Sequence, residues 1–154
     1  MKKILFISSS RADYGLLRNV VLETQKINKE TYLLVTGSHL SESFGKTISE
    51  IKKDKIKNII KKELLDKNFS DADISNYLAR SISLTAEVII KKKPDVLVIL
   101  GDRYELLGSA IAAMTFRIPI AHIHGGEVTK GAYDDYIRHS ITKLSHLHFP
   151  IHDR

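Results

Sequence analysis

The sequence contains no cysteine. That removes any disulfide framework and any thiolate site, and it suits a reducing, cytoplasmic setting. A long hydrophobic run is missing too, for no segment approaches the roughly 20 apolar residues of a membrane span. Met1-Lys2-Lys3 opens like a secretory signal, but the apolar run after it breaks at Ser8-Ser9-Ser10-Arg11. It is too short for a signal core and reads as a first strand. No GxGxxG follows that strand, so the dinucleotide fingerprint is absent. No internal repeat, low-complexity stretch or linker divides the chain.

What is present describes one ordinary globular domain. A length of 154 residues suffices for a single core and is short for two. Hydrophobic content of 43% and charged content of 27% are typical of soluble proteins. The net charge of +6 comes mostly from Lys52 to Lys62 and Lys91-Lys92-Lys93. Those lysines lie around element ends without interleaved aromatics, which reads as a solvated surface and not as a nucleic-acid patch. A mildly positive field also suits an anionic small substrate.

Apolar runs alternate with amphipathic ones. Strands are expected at Ile4–Ser8, Thr31–Thr36, Ile56–Ile60, Asp95–Leu100, Pro119–Ile123 and from His148-Phe149. Helices are expected at Tyr14–Asn28 (Leu17, Val20, Val21 and Ile27 on one face), Ser41–Lys53, from the Ser70-Asp71-Ala72-Asp73 cap to Lys93-Pro94, Tyr104–Phe116 and Asp134–Leu144. Apolar, non-alternating strands between helices predict an α/β fold, a parallel sheet covered on both faces. The chain stops at Arg154 just after an expected strand, which reads as a boundary inside a larger architecture or a truncation.

The loops after the strands carry the chemistry. After the first come Ser8-Ser9-Ser10-Arg11-Ala12-Asp13, small hydroxyls and an arginine at a helix start. They would hold a phosphate, or else Asp13 caps the helix and Arg11 is solvated. After the second, Gly37 permits a tight turn and His39 faces either the crevice or solvent. After the fourth, Asp102 sits at a strand's carboxyl end as a catalytic carboxylate or a helix cap, with Arg103 beside it as a charge partner for a diphosphate. Densest is His122 to His139, where 18 residues hold three histidines, three carboxylates, an arginine and three glycines. His122 and His124, two apart on a strand, would share a face, but no third ligand stands at a zinc spacing, so no metal is expected. Gly125-Gly126 lets the backbone approach a ligand. Asp134 and Arg138, and Asp135 and His139, are spaced as helical ion pairs. So many titratable groups on one sheet edge point to an active site.

Taken together, Ser10-Arg11-Ala12-Asp13-Tyr14, Thr36-Gly37-Ser38-His39-Leu40, Gly101-Asp102-Arg103-Tyr104-Glu105, His122-Ile123-His124-Gly125-Gly126-Glu127-Val128, Asp134-Asp135-Tyr136-Ile137-Arg138-His139 and Thr142-Lys143-Leu144-Ser145-His146 resemble the hydrolysing UDP-N-acetylglucosamine 2-epimerases. The resemblance runs from Lys3 to Phe149. It implies a GT-B architecture of two Rossmann-like domains, of which residues 1–154 would be the N-terminal one and the C-terminal one absent. The implied reaction takes UDP-GlcNAc, or a related UDP-2-acetamido sugar, to UDP and a C2-inverted free sugar of the ManNAc type, for sialic or legionaminic acid synthesis. Neither cofactor nor metal is implied. Catalytic residues would be Asp102, Glu127, Asp134 and His124; substrate-binding residues would be Arg11, Asp13, His39, Arg103 and Gly126. The family often carries glutamate where His124 stands, so the acid/base group is Glu127 or His124, and Glu127 keeps the family's chemistry. The partners implied are the UDP-sugar and a missing C-terminal domain or partner chain, with self-association left open and neither nucleic acid nor membrane expected. The isolated chain is expected to turn over little or nothing. Two other readings are a non-catalytic nucleotide- or partner-binding half-domain and half of a GT-B glycosyltransferase. Acids on three separate loops argue against glycosyl transfer.

Overall fold

Strands that are apolar on both faces must be covered on both faces. β1 (Ile4–Ser8), β2 (Thr31–Val35) and β4 (Val96–Leu100) are such strands, each with a nearly continuous run of buried residues. With β3 (Ile59–Lys61), β5 (Ile120–Ile123) and β6 (Leu147–Phe149) they form one six-stranded sheet in the order β3-β2-β1-β4-β5-β6. Every pairing is parallel, and β1 is held on both sides, with Ile4 opposite Thr31 and Val96. This computed structural model describes residues 1–42, 45–64, 71–129 and 133–151, with backbone alone at 71 and 72.

Side chains alternate through the sheet and find two separate cores. On one face Phe6, Leu33, Val35 and Val98 pack with Tyr14, Leu17 and Val21 of α1 (Arg11–Ile27) and with Ile48 and Ile51 of α2 (Ile48–Lys53). On the other face Leu5, Ile7, Leu97 and Ile99 pack beneath α3 (Asp71–Lys92), α4 (Tyr104–Thr115) and α5 (Asp134–Leu144), through Val88, Leu106, Ala110, Ile137 and Ile141. The chain changes face between β3 and β4. Strand order therefore reverses at β1/β4, and a crevice opens there at the carboxyl ends. The α3–α4 contact is tight. A Cβ at Gly108 would lie 1.7 Å from Ser81 Oγ, and Thr85 and Ser109 hydrogen-bond across it at 2.9 Å.

The expected α/β, Rossmann-like sheet with helices on both faces is what forms, with several shifts. α1 starts at Arg11 and not Tyr14, because Ser10 is its N-cap and Asp13 completes a capping box. Val20 and Ile27 of the expected α1 face are exposed. Burial there follows Tyr14, Leu17 and Val21, which leaves Val20 on the flank and Ile27 at the far end of the helix. In place of one helix over 41–53 there is a 3₁₀ turn, Gly37–Leu40, and then the short α2. β3 begins three residues later than expected, where pairing with β2 starts at Leu33 opposite Ile59. Ser70 of the expected α3 cap, and Gly131 and Ala132 of the dense cluster, lie outside the described residues. Among those described, no helix is long and apolar enough to cross a membrane.

Candidate active site

Two polar clusters stand at the carboxyl ends of the strands. The first is built by the β1 loop. Asp13 is buried, and its Oδ2 accepts from the Ser9 amide at 3.0 Å, the Ser9 hydroxyl at 2.9 Å and the Ser10 amide at 3.0 Å. Its Oδ1 accepts a short hydrogen bond from Ser8 Oγ. Ser8's one hydroxyl hydrogen is thereby spent, so His39 Nε2 donates to Ser8 Oγ at 2.8 Å and its Nδ1 accepts from Thr47 Oγ1 at 2.7 Å. Burial pushes the Asp13 carboxyl up, but the His39 ring, its Nε2 3.9 Å from Oδ1, and the hydrogen bonds from Ser8 and Ser9 outweigh it and hold the group below the ordinary carboxylate range.

This arrangement moves two expected site residues away from the crevice. His39 is wholly buried under the 3₁₀ turn. Arg11 points to solvent and pairs with Glu50 at 3.4 Å. Neither lines the cavity, whereas Asp13 contributes one wall while both its oxygens remain occupied.

The second cluster surrounds a cavity of about 340 Å³. Asp102, Arg103, His124, Glu127, Asp134 and Arg138 line it, brought from the β4 loop, the β5 loop and α5. Arg138 is the hub. Its Nε donates to Asp102 Oδ2 at 2.9 Å, and its Nη2 makes a short bond to the same oxygen. Its Nη1 donates to the Glu127 carbonyl at 3.0 Å, Thr129 Oγ1 at 3.1 Å and Asp135 Oδ1 at 3.2 Å. One guanidinium thus ties three segments together and, among the described residues, leaves Asp102 Oδ1 uncommitted. Among the described residues Glu127 Oε1 is buried without a hydrogen-bond partner, and His124 Nδ1 stands 3.4 Å from it. His124 has a left-handed backbone, φ 62°, which is unusual for a side-chain-bearing residue and marks a constrained turn. Arg103 Nε donates to the fully buried Glu105 at 2.6 Å. Burial pulls the Arg103 guanidinium down, and the Glu105 carboxylate more than offsets it, so the group titrates above its ordinary value.

Some spacings mislead. Asp134 is exposed at the rim, and Arg138 pairs with Asp135 and Asp102 instead of with it. Asp135 accepts from the Thr129 amide at 2.9 Å, not from His139. His122 and His124 do not share a face. His122 is wholly buried, while His124 lies beyond the end of β5 and lines the cavity. Among the described residues no group of three or more histidines, aspartates or glutamates could hold a metal ion. Gly126 is outside the cavity lining, and its amide donates to Thr142 Oγ1 at 3.2 Å. Arg138 is the residue that reading of the sequence undervalued. Its only signal was a helical ion-pair spacing, whereas its main partner is 36 residues away.

Known proteins resemble this chain in sequence and in fold. Residues 22–154 match the family model described as UDP-N-acetylglucosamine 2-epimerase. The chain is 42% identical over 154 residues to the GDP/UDP-N,N'-diacetylbacillosamine 2-epimerase (hydrolyzing) of Campylobacter jejuni, covering 99% of this chain and 40% of that protein. It is 42% identical to the polysialic acid biosynthesis protein P7 of Escherichia coli, covering 96% of this chain and 38% of that one. The crystal structure of a Neisseria meningitidis UDP-GlcNAc 2-epimerase bound to UDP-GlcNAc superposes with a TM-score of 0.81 at 25% identity, over 96% of this chain and 39% of that one. The chain spans about 40% of the length of the curated relatives it matches.

Proposed function

Because the chain belongs to the UDP-N-acetylglucosamine 2-epimerase family, we propose that residues 1–154 are the N-terminal domain of a hydrolysing UDP-sugar 2-epimerase. The substrate is UDP-GlcNAc or a related UDP-2-acetamido sugar, and the products are UDP and the free sugar inverted at C2. The names of the Campylobacter and Legionella relatives, which specify diacetylbacillosamine, support a 2-acetamido sugar. The polysialic acid name of the Escherichia coli relative supports a product that feeds a sialic or legionaminic acid. The setting is cytoplasmic, in keeping with the absence of cysteine.

The chemistry asks for two things. A base must take the proton from C2 while the C1–O bond breaks and UDP leaves with the electron pair, which creates the C1–C2 double bond of a glycal. Water then adds its hydroxyl to C1 and a proton returns to C2 on the other face. The observation that carries this reading is Glu127. Its unpartnered carboxylate oxygen lies 3.4 Å from His124 in the wall of a cavity shared with Asp102 and Arg138. Glu127 takes the proton and His124 is the neighbour able to exchange it. Asp102, oriented by Arg138, presents its free oxygen to the sugar. Arg103 attracts the leaving diphosphate, and Asp134 closes the rim. A facing domain supplies the rest of the UDP contacts, so residues 1–154 by themselves bind weakly and turn over little.

The test has two arms. Titrated with UDP-GlcNAc, the isolated chain shows NMR shifts at Asp102, His124 and Glu127 and releases little UDP. Joined at Arg154 to the remaining segment of the Campylobacter jejuni relative, it releases UDP and a C2-inverted sugar. A folded hybrid that releases neither overturns the epimerase reading. Clear turnover by the isolated chain overturns the half-site part alone.

A further inference from the structure

The two turns that carry Asp102 and Glu127 are joined below the cavity by a chain of hydrogen bonds that the proposed chemistry does not use. Gly126 donates its amide to Thr142 Oγ1 at 3.2 Å. Thr142 lies 3.1 Å from His122 Nδ1, and His122 Nε2 lies 2.8 Å from the Gly101 carbonyl. The directions follow from chemistry. A carbonyl only accepts, so Nε2 carries the hydrogen. In a neutral ring Nδ1 is then bare and can only accept, so the single hydroxyl hydrogen of Thr142 points to it while the hydroxyl oxygen accepts from Gly126. The two glycines at the ends stand immediately before Asp102 and Glu127. Both have left-handed backbones, φ 89° at Gly101 and 80° at Gly126, so each turn depends on an outside contact to fix its direction.

We propose that His122 and Thr142 are positioning residues that set the spacing of the Asp102 and Glu127 turns, acting as one Nε2–H imidazole and one hydroxyl bridging Gly101 to Gly126. Packing seals the bridge. A Cβ on Gly125 would lie 2.5 Å from His122 Nδ1 and 2.9 Å from Thr142 Oγ1, so the backbone lies directly against the pair and leaves no room for water or a rotated ring. His122 is fully buried at the end of β5 and Thr142 sits on α5, so the bridge joins the sheet to the helix that carries Arg138. The β5 loop is therefore tied to the β4 loop by two side-chain routes, besides the bond from the Gly101 amide to the Ile123 carbonyl at 3.1 Å. Arg138 reaches from the Glu127 carbonyl to Asp102 above, and His122 and Thr142 reach from Gly126 to Gly101 below.

The inference rests on the cavity being the reacting site, but its test needs no substrate. In the ¹⁵N-labelled chain at neutral pH, the His122 ring gives a protonated Nε2 and a bare Nδ1. The opposite tautomer, or a doubly protonated ring, overturns the proposal without any variant. Thr142→Val shifts the amide signals of Asp102 and Glu127 as well as those of Gly101 and Gly126, and Thr142→Ser restores all four. Unmoved Asp102 and Glu127 signals in Thr142→Val also overturn it, as does a failure of Thr142→Ser to restore them. A titration of the unaltered chain with UDP-GlcNAc reports separately on the cavity, so failure of the bridge and failure of the site reading are distinguishable.

Discussion

The Ser8–Asp13–His39–Thr47 cluster and the Asp102–His124–Glu127–Arg138 cluster use the same kinds of residue on the same edge of the same sheet. They differ in what is left over. In the first, both oxygens of Asp13 and both nitrogens of His39 have partners inside the protein. In the second, Glu127 Oε1 has none among the described residues, and both Arg138 bonds to Asp102 fall on Oδ2 alone. Buried polar groups that are fully paired stabilise a fold, and unpaired ones cost stability unless something arrives to use them. The difference therefore separates a structural cluster from the proposed reacting one where residue type cannot.

The largest expected effect is in the saturated cluster. Asp13→Asn sets an amide among donors that now meet a carboxylate, and should cost about 2–3 kcal/mol of stability. A urea unfolding midpoint close to that of the unaltered chain would erase the contrast between the clusters. The reciprocal change is Glu127→Gln. In the hybrid enzyme it should lower turnover by roughly 100-fold, the ordinary contribution of a general base, with the unfolding midpoint nearly unchanged. Full turnover would shift the acid/base role to His124.

Acid titration sharpens the same comparison. The Asp13 carboxyl is held below its ordinary 3.8, so its contribution to stability is complete above that value and is lost as pH falls through the folded-state value. Asp13→Asn should remove that part of the acid-induced loss. His122 acts higher on the scale. Burial holds its ring below the ordinary 6.5, with His148 and Arg138 adding to the effect and the Gly101 carbonyl and Asp102 opposing it. The unfolded chain therefore binds the proton first. Stability is complete above about pH 6.5 and declines as pH falls below it. Denaturation midpoints measured from pH 7.5 to 5 should show the decline in the unaltered chain and a flatter curve in His122→Gln. Equal slopes would contradict it.

Much of this architecture is legible in the residues. Val96-Leu97-Val98-Ile99-Leu100 is apolar on both faces and can lie only inside a covered sheet, and a carboxylate directly after it lies at a carboxyl edge. The meeting of Asp102, His124, Glu127 and Asp134 around one cavity follows from that topology. What was not legible is the direction in which a loop side chain turns. His39 follows a strand as Asp102 does, yet a 3₁₀ turn rolls it inward to meet Ser8, 31 residues earlier. Arg138 looked like half of a local pair with Asp134, and only the packing of α5 against α4 and β5 gives it Asp102. In each case the deciding partner is distant in sequence, and local spacing carries no record of it.

The smallest expected effect is at Arg11, and it separates sequence resemblance from geometry. Resemblance assigns Arg11 to the nucleotide, whereas the fold leaves it in solvent with an exposed pairing to Glu50. Such pairs contribute little, so Arg11→Ala should change stability by less than about 0.5 kcal/mol. Its effect on UDP-GlcNAc binding by the isolated chain should be equally slight, since no cavity contact is lost. In the hybrid the same variant measures something else. If affinity there falls while the isolated chain is indifferent, Arg11 meets the nucleotide only once the facing domain brings it within reach. Loss of binding already in the isolated chain would mean that Arg11 turns back toward the crevice when ligand enters. The contrast between the two clusters would then hold only for the unliganded fold.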